Sequence, residues 1–401
     1  MLGVNDLLNP VSTISGEKVE RKKVKHLFFK LDEFADELTE WINSKSNIWR
    51  SQVSALSLGW IKQGLKERCI SRDLKHGISI PKKGFEDKVF YVWFDAPIGY
   101  LSGTKEISPK WKDFWQKKES KIYHFLGKDN IPFHTIFWPA MLMGQGKLNL
   151  PENVVGLQYL NYEGKKFSKS KKVGVFCEKL SEAGLDADIW RSYLIQVIPE
   201  TGDTEFKWND FLERVNSDLI GNYCNLVNRV LKFTKTKFDG KLEKPSKLTK
   251  VDKDLLEIIE SYKTKIEDSL EKAELRKAYS EILALSSEGN KYINATEPWK
   301  VLTEDPKRAN DICYNAILLL KAVTVFLAPF LPRTAERVWK QINLKGSPLE
   351  KNAWQNSLKD FGKKHEIGEP EILFNKLGTE DITRVKGIVS NGVNLAELFQ
   401  K

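Results

Sequence analysis

A chain of 401 residues with 41% hydrophobic residues, 12 Trp and 21 Phe holds enough apolar mass for two or three domains with their own cores, which excludes an intrinsically disordered protein. Its 64 Lys and Arg against 54 Asp and Glu give a formal charge of +10, spread along the chain rather than gathered in a tail. That charge favours an anionic partner, a nucleic acid first, although solubility alone explains part of it.

Cys69, Cys177, Cys224 and Cys313 form no C-x-x-C pair, so neither a zinc knuckle nor a disulfide framework is expected, and reduced cytosolic thiols are the default. The opening MLGVNDLLNP lacks the charged region, apolar core and cleavage site of a signal peptide. Residues 316–331 are the most apolar stretch. They contain Lys321 and Pro329 and read as a buried helix, so no membrane partner is expected.

In chain order, residues 1–88 mix short apolar and basic runs in an α+β pattern. KVFYVWF, from Lys88, reads as a strand ended by Asp95-Ala96-Pro97. KIYHFL reads as a second strand, ended by Gly127-Lys128-Asp129, with FHTIFWPAML helical in period behind it. ENVVGLQYLNY reads as a third strand. Strand, turn and helix in this order predict a parallel α/β sheet with three ligand-facing turns on one edge. The third turn leads into GKKFSKSKKVGVF, where Lys165, Lys166, Lys169, Lys171 and Lys172 alternate with Ser168 and Ser170 between Gly164 and Gly174. Movable ammonium groups, hydroxyl donors and flanking glycines suit a lid that closes on polyphosphate; a solvated basic turn has the same composition.

After Pro199 the period changes. Leu212, Val215, Leu219, Tyr223, Leu226, Val230 and Phe233 recur at three and four residues and predict a helix of about six turns with one apolar stripe. Asp218, Asn222, Asn225 and Arg229 form a polar stripe beside it, a face free to bind. Further amphipathic segments at 255–270, 273–285, 312–326 and 334–342 complete a helical bundle. The tail from about 346 has a short apolar touch at Ile372, Leu373 and Phe374, consistent either with docking or with a loose end.

KFSKS, residues 166–170, resembles the KMSKS loop of class I aminoacyl-tRNA synthetases, with Phe167 in place of Met. YVWFDAPIGY (91–100) and GKDNIPFHTIFWPAML (127–142) are similar to stretches of methionyl-tRNA synthetase in the same order and spacing. The likeness runs on through LNYEGKKFSKS, GLDADIWRSYL, GNYCNLVNRVLKF and ATEPWK, to about residue 375. The fold class that this implies is α/β followed by all-α: a partial class I Rossmann-type sheet, then an α-helical anticodon-binding bundle. The expected divisions are the remainder of a connecting insertion at 1–88, the second half of the Rossmann-type catalytic domain at 89–160, and the KMSKS loop with a stem-contact region at 161–210. The anticodon bundle then occupies 211–345 and a C-terminal extension 346–401.

The resemblance implies a methionine-tRNA ligase that uses ATP with Mg2+ and acts on methionine and tRNA-Met. Trp93, Ala96, Pro97, Tyr100 and His134 match the methionine pocket, whose aromatic walls suit a polarizable thioether; without the resemblance Trp93 would read as a core aromatic and His134 as a satisfied helix histidine. Gly127 and Asp129 match the nucleotide-facing turn. Lys166 and Lys169 match the catalytic lysines, Lys169 being the direct ATP contact. Asn225 and Arg229 match the anticodon-reading helix, and Trp299 matches an indole on which an unstacked base packs; surface solvation and a helix-end anchor beside Pro298 are the alternatives.

None of His26, His76, His124, His134 and His365 lies in a His-x-Gly-His turn, the other half of the family's ATP clamp, and the family's zinc cysteines have no counterpart, so no zinc site is expected. The expectation is therefore a C-terminal portion of a synthetase: truncated, split and completed by an N-terminal segment in trans, or an incomplete reading of a longer gene. A non-catalytic tRNA-binding protein is the alternative. A cytoplasmic monomer is expected in either case.

Overall fold

The structure, a computed structural model, describes Lys18 and residues 23–390, so the expectations for MLGVNDLLNP and for the end of the C-terminal extension fall outside the described residues. The chain divides into two compact units: Met1–His124 with Asp129–Val154, and Phe125–Lys128 with Val155–Lys401.

In the first unit, β1 (Phe28–Phe29), α1 (Ala35–Ser44), α2 (Ser51–Lys62), β2 (Arg68–Cys69) and β3 (Ser71–Arg72) lead to β4 (Val89–Phe90). There the expected strand stops. KVFYVWF is strand only at Val89–Phe90, paired antiparallel with β3, and turns at Tyr91 into α3 (Val92–Asp95) and α4 (Ile98–Ile107). The Phe90 ring at the strand's end stacks at 6.0 Å on Phe94 of α3, and Phe94 meets Phe29 at 5.7 Å, so the chain's turn into a helix after Tyr91 satisfies the aromatic run.

The short α5 (Trp111–Gln116) precedes β5 (Tyr123–Gly127), the second expected strand. The helix after it begins as a π-helical turn, Phe133–Phe137, and continues as α6 (Trp138–Gln145), stopped by Gly146 at φ 77°. Trp115, Trp138 and Leu142 form a small core there. The third expected strand is two: β6 (Asn153–Leu157), which pairs with β5, and β7 (Leu160–Tyr162).

In the second unit β7 lies between β8 (Lys165–Lys166), antiparallel, and a later strand, β9 (Thr204–Phe206), parallel, with α7 (Ala187–Gln196) in the connection. Of the three sequence-predicted strands, the second and the first part of the third pair with each other as β5 and β6, whereas the first pairs with β3 and the end of the third, β7, with β8 and β9, so they do not form one parallel edge among the described residues. Pairing partners far away in sequence, Ser71–Arg72 and Thr204–Phe206, make that difference.

The bundle begins with one helical run: α8 (Trp208–Arg214), a π-helical segment (Val215–Cys224) and α9 (Asn225–Phe238). Val215, Leu219, Tyr223, Leu226 and Val230 of the predicted stripe are buried. After β10 (Lys241–Glu243) come α10 (Lys250–Glu271), α11 (Leu275–Thr296), α12 (Pro298–Glu304), α13 (Pro306–Leu327) and α14 (Pro332–Gln341). Thr249 and Asp252 close a capping box at the start of α10, and Pro occupies the first turn of α12, α13 and α14. By length and composition α13 could cross a membrane, but every residue from Asp311 to Leu327 is buried among the other helices. Gly289 lets α11 approach closely, since an added Cβ would meet Leu226 and Leu319 δ-carbons at 2.7 Å.

The tail docks. After α15 (Lys351–Gln355), β11 (Lys364–Glu366) pairs antiparallel with β10, and α16 (Thr379–Val389) buries Ile382, Val385 and Val389 in the bundle core. Asn216 exchanges two 2.9 Å hydrogen bonds with the Leu377 backbone, and the Phe176 N–H donates to the Val389 carbonyl at 2.9 Å.

Candidate functional site

The methionine-set residues lie in the first unit. Tyr100 sits on α4 and His134 in the π-helical turn, with the Tyr100 hydroxyl 2.8 Å from His134 Nε2. His134 Nδ1 lies 3.0 Å from the Asn130 carbonyl, which can only accept, so Nδ1 carries the proton and the Tyr100 hydroxyl donates to Nε2. Burial pushes His134 below the usual histidine range against the opposing pull of that carbonyl, which keeps the ring neutral. Trp93 meets the Phe133 ring edge-on at 6.1 Å while remaining 54% exposed, so it is not a core aromatic. Ala96 is exposed and Pro97 buried at the joint between α3 and α4.

A residue that sequence reasoning missed joins them. His124, on β5, has its ring 4.9 Å from that of Tyr100 and 5.1 Å from that of His134, tilted to both; burial, with the nearby His134, lowers it to about 4.

Gly127 ends β5, and an added Cβ would meet nothing within 4 Å, so packing does not demand glycine there. Asp129 is exposed in the single 3-10 turn Lys128–Asn130 that follows.

The lysine segment is in the second unit and is a built hairpin rather than a plain loop. β7 and β8 are joined by Glu163 and Gly164 at φ 47° and 76°, both in the left-handed region, as a two-residue hairpin turn requires. Beyond β8, Ser168 and Val173 exchange two 2.9 Å backbone hydrogen bonds, and Lys169, Ser170, Lys171 and Lys172 stand exposed at the tip. Phe167 anchors this tip by packing on Tyr162, ring centres 5.5 Å apart, and against Gly174. The glycines expected to act as lid hinges therefore have steric duties: Gly164 makes the turn and Gly174, at φ 145°, makes room for Phe167.

Gly174→Ala would place a Cβ 2.4 Å from the Phe167 ring. It is expected to weaken the hairpin locally by about 1–3 kcal/mol. Trypsin cleavage after Lys169, Lys171 and Lys172 should then rise roughly tenfold or more with the global unfolding midpoint little changed. Unchanged cleavage would mean that Phe167 moves aside without cost.

In the bundle, Arg229 and Trp299 come together. The guanidinium lies 5.5 Å from the indole ring and Arg229 Nη2 donates to Asn294 Oδ1 at 2.8 Å. Trp299 is presented by a sharp corner, Glu297 at φ 41° followed by Pro298, and is 43% exposed. Below the pair lies a cavity of about 150 Å³ with Val230, Phe233, Ile293 and Cys313 on its walls. Asn225 is exposed one turn before Arg229 on α9. Asn222 does not share that freedom: it donates to the Leu283 carbonyl at 2.9 Å and accepts from Asn290, so this part of the polar stripe faces α11.

An α/β portion ending in a lysine hairpin, continued by a helical bundle with an exposed Arg–Trp cleft, is the architecture of a class I aminoacyl-tRNA synthetase. A family model described as tRNA synthetases class I (M) matches residues 1–231, and one described as the anticodon binding domain of methionyl tRNA ligase matches residues 243–389. The chain belongs to the methionyl-tRNA synthetase family.

It is 40% identical over 387 residues to a methionine–tRNA ligase of Methanopyrus kandleri, covering 96% of this chain and 57% of that protein. It is 38% identical over 409 residues to the enzyme of that name from Flavobacterium johnsoniae, covering 100% and 57%. The chain thus spans little more than half the length of these relatives. Among solved structures, methionyl-tRNA synthetase of Mycobacterium tuberculosis shares the fold. In its complex with methionyl-adenylate the TM-score is 0.78 at 24% identity, over 91% of this chain and 71% of that one. In its free form the TM-score is 0.77 at 22% identity, over 93% and 73%.

Proposed function

We propose that this chain carries the methionine, ATP and anticodon sites of a methionine-tRNA ligase, the enzyme that activates methionine with ATP and transfers it to tRNA-Met. The observation that carries the reading is the Tyr100–His134 pair, linked through the Phe133 ring to exposed Trp93: a neutral hydrogen-bonded pair among aromatic rings and so a wall suited to an uncharged thioether. In the first step the methionine carboxylate attacks the α-phosphorus of ATP, and the bond to the bridging oxygen of pyrophosphate breaks. Lys169, helped by Lys166, stabilises the charge that builds on the leaving pyrophosphate, while Gly127 and Asp129 face the nucleoside. A hydroxyl of the terminal adenosine of tRNA then attacks the carbonyl carbon and AMP leaves, with no protein nucleophile needed.

Mg2+ enters this reading with the nucleotide, as part of the substrate; among the described residues no group of three or more metal-ligating side chains is gathered. The reading carries with it a cytoplasmic monomer, and the free state of Cys69, Cys177, Cys224 and Cys313 suits a reducing compartment.

Methionine-dependent exchange of pyrophosphate into ATP tests it. The chain is expected to support exchange, alone or once supplied with the portion of a relative that it does not cover. No exchange under either condition overturns it. A second reading, a non-catalytic tRNA-binding protein, is favoured by the Arg229–Trp299 cleft being built wholly on the bundle's own helices. Retained tRNA binding with no exchange in either arm would establish that reading.

A further inference from the structure

Lys128 stands between the two residues of its turn that the family resemblance singles out, Gly127 and Asp129, and has itself been given no role. Its ammonium lies 4.0 Å from the centre of the Tyr159 ring and 3.0 Å from Asp203 Oδ1. Tyr159 is fixed by its backbone in the break between β6 and β7: its N–H donates to Asp203 Oδ1 at 3.0 Å and its carbonyl accepts from the Thr204 N–H at 2.9 Å. Lys166 approaches the same ring. It leaves β8 opposite Asn161, and its ammonium lies 5.6 Å from the Tyr159 ring centre.

Two ammonium groups therefore converge on one aromatic ring with a single carboxylate between them. The other carboxylate nearby on β9, Glu205, is already taken: it pairs with Lys207 at 2.8 Å and accepts the Gly164 N–H at the hairpin turn. Among the described residues Lys128 has no ion-pair partner besides Asp203, and Lys166 has none. Lys166 helps to hold Asp203 ionised, but two ammonium groups face one carboxylate there and their like charges repel. The excess positive charge is the complement of a multiply charged anion. It is held on the two strand ends, β5 and β8, that bracket the nucleotide turn and the lysine hairpin.

We propose that Lys128 is a further polyphosphate-binding residue of this site, and that Asp203, together with the Tyr159 ring, holds it in place in the free chain and gives it up when phosphate binds. The proposal rests on the reading of the Lys166–Ser170 hairpin as a phosphate site. The ring keeps both stems ordered while the carboxylate stands in for the absent phosphate. The Tyr159 N–H, followed by the Lys128 ammonium, holds the Asp203 carboxyl below its usual range, so Asp203 stays charged and competes with phosphate at neutral pH.

Binding of tripolyphosphate to the full chain at low salt, followed by calorimetry, is the test. Lys128→Ala is expected to weaken binding about three- to fivefold, and Lys128→Arg to restore most of it, since a role in positioning the turn alone would not follow the charge. Asp203→Asn keeps an acceptor for the Tyr159 N–H and removes the charge; it is expected to tighten binding about twofold or more. If Lys169→Ala weakens binding and Lys128→Ala does not, the proposal falls while the hairpin keeps its role. If neither substitution matters, or wild type does not bind, both fall. Weaker binding by Asp203→Asn would overturn the part assigned to Asp203.

Discussion

Arg308→Ala is expected to lower the stability of the bundle by about 3–5 kcal/mol, the largest single effect that the structure supports. Asp252, in the first turn of α10, is fully buried and its carboxylate accepts five hydrogen bonds. Arg308 of α13 grips it bidentately at 2.6 and 2.9 Å, the Tyr292 hydroxyl of α11 donates at 2.6 Å, and the Thr249 N–H and hydroxyl donate at 2.9 and 2.8 Å. One carboxylate thus ties three helices together. Removing the guanidinium leaves a buried anion with its neutral partners only, which is worse than never having had the pair.

The same site fixes a pH dependence. Burial opposes ionisation of Asp252, but Arg308, then Tyr292 and Thr249, outweigh it and hold the carboxyl down to about 2, against an ordinary value of 3.8. A depressed folded value means that the contribution is complete above pH 3.8 and is lost as the pH falls toward 2. Denaturant unfolding of wild type and Arg308→Ala at pH 7 and pH 3 should therefore show the gap between them narrowing in acid. A gap of the same size at both pH values would show that the cost of the substitution is packing rather than charge. Asp252→Asn in the Arg308→Ala background should recover part of the loss, because it removes the stranded anion.

Regularity decided which features could be read from the residues. The stripe from Val215 to Val230 is buried because a three-and-four spacing makes one face whatever the neighbours are, and the same logic located α10, α11, α13 and α14. The spacing does not register the π-helical segment at Val215–Cys224, which rotates Asn222 toward α11 while Asn225 stays exposed. KVFYVWF had strand composition, but only a chain that turns into a helix after Tyr91 brings Phe94 onto both Phe90 and the distant Phe29, which no local pattern indicates. The tail was undecided for the same reason: the partners of Leu377 and Val389 are Asn216 and Phe176, which no local pattern indicates.

Among the candidate site residues, Tyr100 with His134 and Arg229 with Trp299 come together as neighbours. His124 was overlooked because a single histidine on a strand has no periodic signature. Lys128 was passed over because a Gly-Lys-Asp turn does not reveal that Tyr159 and Asp203 meet its side chain.

Trp299→Ala is expected to weaken binding of a methionine anticodon stem-loop by roughly ten- to a hundredfold, since stacking of one base on an aromatic ring is worth about 1–3 kcal/mol. In the free chain one neighbour of the indole is already a planar cation, Arg229, tethered to Asn294. An incoming base must stack on the open face of the ring or take the place of the guanidinium, and Arg229 is then free to read a base edge. The two substitutions should therefore be non-additive: the double variant Trp299→Ala with Arg229→Ala should bind no more than a few-fold worse than the weaker single variant. Arg229→Ala should also lower the salt dependence of binding, whereas Trp299→Ala should leave it unchanged. Additive losses would mean that each side chain meets the RNA by itself, and equal binding by Trp299→Ala and wild type would remove the cleft from the anticodon site. Because the indole stands on α12 of the bundle, methionine-dependent exchange is expected to be nearly the same in all three variants.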